Sequence, residues 1–100
     1  MFTGNEDNTI TLSEGTALTH RFQLLFPGLI KATYVSKASL QALLAQDGIV
    51  GARIYFGLTS DLKMTHVMVG VDANELDKTD GVILDKGTAC PPSCSTNIVL

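Results

Sequence analysis

Residues 48–71 read GIVGARIYFGLTSDLKMTHVMVGV, and their two-residue period decides the fold. Over 49–58, Val50, Ala52, Ile54, Phe56 and Leu58 fall on one side of an extended chain, and Ile49, Gly51, Arg53, Tyr55 and Gly57 on the other. Residues 64–71 alternate in the same way, with Thr65, Val67, Val69 and Val71 opposed to Met64, His66, Met68 and Gly70. Both runs are rich in β-branched residues, which suit a pleated, half-buried surface. The short polar segment 59–63 between them makes the pair a hairpin. Burial is expected to set its register, because a slip of one residue sends the valines away from Ile54 and Phe56. With Thr59 to Leu62 as the loop, Ile54 is expected opposite Val67, Ala52 opposite Val69 and Val50 opposite Val71, with Phe56 in the core. The other face then sets Tyr55 against His66 and Arg53 against Met68.

Outward toward the N-terminus, Asp47-Gly48 ends a predicted helix over 37–46, which Ser36 caps and whose Leu40, Leu43 and Leu44 form a stripe. Before it, 29–35 reads as a short strand. An earlier helix is expected from Thr11-Leu12-Ser13-Glu14, a capping box, through Ala17, Leu18, Phe22, Leu24 and Leu25 to its stop at Pro27-Gly28. Residues 1–9 form a polar, loosely ordered lead-in. Outward toward the C-terminus, 72–81 reads as a polar loop or short frayed helix, 82–84 as a last short strand, and 85–88 as a turn. The tail over 88–100 carries Cys90-Pro91-Pro92-Ser93-Cys94 and finishes apolar at 98–100. The whole is a single α+β domain over 1–100, with two helices on one face of a small antiparallel sheet centred on the 49–58/64–71 hairpin.

One hundred residues suffice for one core without obligatory staples. Hydrophobic residues make up 45% and charged residues only 17%, a charge-poor surface that suggests cover by another chain. The net charge is −3 and the seven Lys and Arg are scattered singly, which disfavours nucleic acid. No apolar run approaches a membrane span and no signal-type start is present, so the expectation is a cytoplasmic protein with no membrane partner.

Three segments carry a resemblance: Gly51-Ala52-Arg53-Ile54-Tyr55-Phe56-Gly57, Val69-Gly70-Val71-Asp72-Ala73-Asn74 and Cys90-Pro91-Pro92-Ser93-Cys94. Over about Lys31 to Cys94 the chain resembles a group of short, uncharacterised bacterial proteins of the Bacteroidetes type. Those proteins share G-x-R-x-Y-x-G, V-G-V-D-x-N and a C-P-x-x-C-like ending. The resemblance implies no activity and no catalytic residue. Where the group has Gly after Asn this chain has Glu75, which weakens a metal-loop reading borrowed from it.

Asp72, Asn74, Asp77 and Asp80 make an oxygen-rich loop, but on EF-hand spacing Leu76 and Ile83 fall on ligand positions. Local turn bonds explain the loop better. Cys90 and Cys94 have three residues between them, not two, and form a possible thiol pair; free or packed thiols are favoured over a local disulfide, and both over metal. Arg53, Tyr55 and His66 on one sheet face offer guanidinium, phenol and imidazole side by side, enough to hold an anion. An ordinary polar sheet surface is the simpler account. With Met64 and Met68 the same face has interface character, since Tyr, Met and Arg are enriched at protein contacts. The expected function is therefore a non-enzymatic structural or protein-interaction module without cofactors, a homo-oligomer or part of a larger assembly. The alternatives are an anion- or ligand-binding domain using Arg53, Tyr55 and His66, or a redox- or metal-responsive tail at Cys90 and Cys94.

Overall fold

The capping box at Thr11 opens the first helix, α1 (Leu12–Leu25): the Glu14 amide donates to Thr11 Oγ1 at 3.1 Å and the Thr11 amide to Glu14 Oε1 at 3.3 Å. The structure is a computed structural model and describes residues 1–85, 87–97 and 99–100. Lys86 and Ile98 lie outside the described residues, and so do the parts of the expected 85–88 turn and 98–100 apolar finish that rest on them. After α1 come β1 (Ala32–Tyr34), α2 (Lys37–Leu44), β2 (Ile49–Leu58), β3 (Met64–Asp72), β4 (Ile83–Leu84) and β5 (Thr88–Cys90). Ser36 caps α2, its Oγ accepting from the Ser39 amide at 3.2 Å. The α+β class expected from the sequence is the one the chain adopts.

The strands form two antiparallel sheets, one ordered β2-β3-β4 and one of β1 with β5. The second sheet was not expected: residues 88–90 read as tail, yet they pair as Ala32 with Cys90, Thr33 with Ala89 and Tyr34 with Thr88. The lead-in is tied to the loop after β3, where the Phe2 amide donates to the Ala73 carbonyl and the terminal amine lies 3.3 Å from Glu75.

The hairpin departs from expectation by one residue. Ile54 stands opposite Met68, Tyr55 opposite Val67, Arg53 opposite Val69 and Phe56 opposite His66. The cause is the turn. Leu62 amide donates to the Thr59 carbonyl at 2.9 Å, Thr59 amide to the Lys63 carbonyl at 2.8 Å, and Leu62 lies in the left-handed region at φ 64°. That is a tight turn followed by one left-handed residue, a loop of five that advances the pairing by one position. A glycine or asparagine normally announces such a position, and here it is a leucine.

The slip redistributes burial. Val67, Val69 and Val71 share a face with Arg53 and Tyr55, and Ile54, Phe56 and Leu58 share the other with Met64, His66 and Met68. Phe56, expected in the core, is 77% exposed. The buried apolar residues are Leu43 of α2 with Val69 and Val71 of β3. α2 packs against all three strands of the larger sheet. Gln46, just past its end, fastens it there: Nε2 donates to the Leu43 carbonyl and Oε1 accepts from the Val82 amide, both at 2.8 Å. Gly70 makes this approach possible, because a Cβ there would come within 2.9 Å of Ile49 Cδ1 and 3.1 Å of Gln46 Nε2. α1 buries no residue, and its His20 Nε2 lies 3.0 Å from the Val99 carbonyl.

Candidate functional site

On the valine face, Arg53 and Tyr55 converge on a residue from outside the hairpin. The chain turns back after β3 because Asp72 Oδ1 accepts from the amides of Asn74 (2.9 Å) and Leu76 (3.0 Å), with Glu75 left-handed at φ 69°. This local turn is what the acidic loop is for, as its composition suggested. It delivers Asp77 to the outer edge of β3, opposite Val71. There the Asp77 carboxylate accepts from Arg53 Nη1 through one oxygen and from the Tyr55 hydroxyl through the other. Arg53 also donates to the Glu75 carbonyl, at 3.3 Å from Nη2 and 3.4 Å from Nη1. The ion pair thus reaches across β3, over the row that holds the buried Val69 and Val71. Burial pulls the Arg53 pKa down, but the neighbouring Tyr55 and Asp77 side chains outweigh that and hold it above the ordinary guanidinium value.

His66 is not part of this group. The corrected register puts it on the opposite face with Met64 and Met68, so the expected Arg53, Tyr55 and His66 constellation does not form. Arg53 is already held by a carboxylate and a carbonyl, which are the partners an anion would have to displace. Sequence reasoning missed Asp77 as the partner. The one signal available was Asp72-Ala73-Asn74, an aspartate two residues before an asparagine at the end of a strand, which can fold the chain back beside the strand it has just left.

On the opposite face, the His66 ring meets Phe56 edge-on at 5.6 Å between centroids. Its Nδ1 is buried without a hydrogen-bond partner among the described residues. A cleft of about 540 Å³ opens beside it, lined by Leu40 of α2, Val35 just after β1, Ile54, Phe56, Met68 and Leu84 among others. Its wall is mainly apolar. Asp85 at its rim is engaged by the Thr65 hydroxyl at 2.7 Å. The cleft exists because α2 covers the Gly70 end of this face and leaves the end with Phe56 and Leu58 open.

Cys90 and Cys94 form a disulfide with their Cα atoms 4.7 Å apart, so neither is the free thiol that the sequence favoured. It closes a small ring at the end of β5, with the Ser93 amide donating to the Ala89 carbonyl at 3.0 Å. Proximity inside that turn, rather than any two-residue spacing, brings the sulfurs together. Among the described residues no helix is long and apolar enough to cross a membrane.

No family model matches the chain, and neither does any curated protein or solved structure. What defines the protein is therefore its own fold and surface: a small α+β domain whose hairpin has one face closed by an ion pair and one face open and apolar.

Proposed function

We propose that the chain is a non-enzymatic protein-interaction module that self-associates, alone or within a larger assembly. The supporting observation is the mismatch between composition and core. Hydrophobic residues make up 45% of the chain, yet the buried ones among the described residues are Leu43, Val69 and Val71. Leu18, Leu24, Leu25 and Phe26 of α1 and its end stay open to water, as do Ile54, Phe56 and Leu58 of β2. Apolar surface left open on this scale is a mark of protein contact. The anion-binding alternative loses its support with the separation of His66 from Arg53. Light scattering over a wide concentration range tests the proposal. The expected mass rises above that of one chain as concentration increases, and a single-chain mass throughout refutes it.

A further inference from the structure

β2 is the outer strand of its sheet, paired with β3 on one side. The antiparallel ladder fixes which of its residues address the other side, because successive residues turn both N–H and C=O alternately to one neighbour and away from it. The Thr59 amide donates to Lys63, so position 59 is a hydrogen-bonded one, and counting back so are Gly57, Tyr55 and Arg53. Ala52, Ile54, Phe56 and Leu58 therefore turn their backbone groups outward. The same count predicts that Gly70 on β3 points away from β2, and its carbonyl indeed accepts from the Lys78 amide at 2.8 Å on the far side. Among the described residues the four outward positions of β2 meet no backbone partner beyond the ladder.

Edge strands that must stay single are blunted with lysine, proline or a bulge. Residues 52–58 have none of these. The irregularity in β2 falls earlier, between Ile49 and Gly51, and the one charge, Arg53, is held on the sheet face by Asp77. The open edge begins where the lead-in stops, since a Cβ on Gly4 would lie 2.9 Å from the Val50 carbonyl.

We infer that β2 pairs antiparallel with β2 of a second copy of this chain about a two-fold axis at Tyr55, joining two three-stranded sheets into one. This rests on the self-association proposed above and names its surface. The axis at Tyr55 sets Ile54 opposite the second copy's Phe56 and Ala52 opposite its Leu58. Outward-pointing backbone groups then meet outward-pointing ones, paired side chains share a face, and the small residue meets the large one. Arg53 faces a glycine, so no like charges meet. Shifting the axis to Ile54 drives Leu58 onto Val50, where the lead-in sits; shifting it to Phe56 lays Ala52 against the turn residue Ser60. The axis at Tyr55 alone uses the whole open stretch, and that self-complementarity points to a second copy as the occupant.

Two variants and one mass measurement test this. Tyr55 meets itself at a non-hydrogen-bonded position, where Cα atoms lie about 4.5 Å apart, within disulfide range. Tyr55→Cys should cross-link between chains under mild oxidation, and Ile54→Cys, about 7–8 Å from its own counterpart, should not. Ile54→Pro removes an outward N–H while leaving the β3 ladder intact, and should weaken the dimer about tenfold or more with the circular dichroism of the parent. If the parent dimerises but Tyr55→Cys does not cross-link, the β2 pairing is overturned and self-association stands. If the parent is one chain at every concentration, both fall. Should Ile54→Pro fail to fold, the two cysteine variants decide the question alone.

Discussion

Phe56→Ala separates the observed register from the one that hydrophobic alternation favours. Were Phe56 in the core, its truncation would leave a cavity and cost about 3–5 kcal/mol. With 77% of the residue exposed, less than a quarter of its side chain leaves water. An aromatic side chain buries about 150–250 Å² when fully enclosed, so roughly 50 Å² is at stake, or about 1 kcal/mol at 25 cal/mol per Å². Loss of the edge contact with His66 adds about 0.5–1.5 kcal/mol at most. Leu43→Ala is the internal standard: Leu43 is fully buried, and its loss should cost about 2–5 kcal/mol. The assay is urea unfolding of the parent and both variants at a concentration where each is one chain, because self-association would add its own stabilisation. Leu43→Ala should lose clearly more than Phe56→Ala. A Phe56→Ala loss equal to or above that of Leu43→Ala refutes the register.

Leu62→Gly should stabilise the domain by about 0.5–1 kcal/mol by urea unfolding, since glycine adopts the left-handed conformation without strain and the exposed leucine gives up little burial; destabilisation would contradict the turn described here. Thr11→Ala should cost about 1 kcal/mol and lower the helical circular dichroism signal, through loss of the Oγ1 that accepts from the Glu14 amide; an unchanged melting transition would mean that α1 does not depend on its cap. Asp61 is held below the usual carboxylate range, first by the Thr59 hydroxyl and then by backbone and Lys63. Its contribution to the turn is therefore complete above about pH 4 and fades as the pH falls through the lowered folded value. An Asp61 titration by NMR with a midpoint at or above that of an unfolded peptide would remove this contribution.

Much of the local structure is legible in the residues. Thr11 with Glu14, Ser36 with the Leu40 and Leu43 stripe, and the two alternating runs of the hairpin each carry their signal within a few positions, and each element forms where they place it. The register is not legible, because alternation favours the pairing one residue away, which matches the apolar sides of the two strands, and the deciding feature is a leucine in a conformation that leucine seldom adopts. β1 falls within the strand expected over 29–35, but β5 and its pairing with β1 escape notice for another reason: three residues contain too little periodicity, and the pairing joins positions far apart in the chain. The site divides along the same line. Arg53 and Tyr55 do stand together, as alternation requires, but their partner Asp77 depends on how the loop from Asp72 folds back, and His66 changes face with the register.

The most direct measurement is the set of Hα–Hα nuclear Overhauser contacts across the hairpin. Such contacts arise at the non-hydrogen-bonded pairs, where opposing Cα atoms come closest. The structure predicts them between Ile54 and Met68, between Phe56 and His66, and between Ala52 and Gly70. Contacts between Ile54 and Val67, or between Tyr55 and His66, would contradict it.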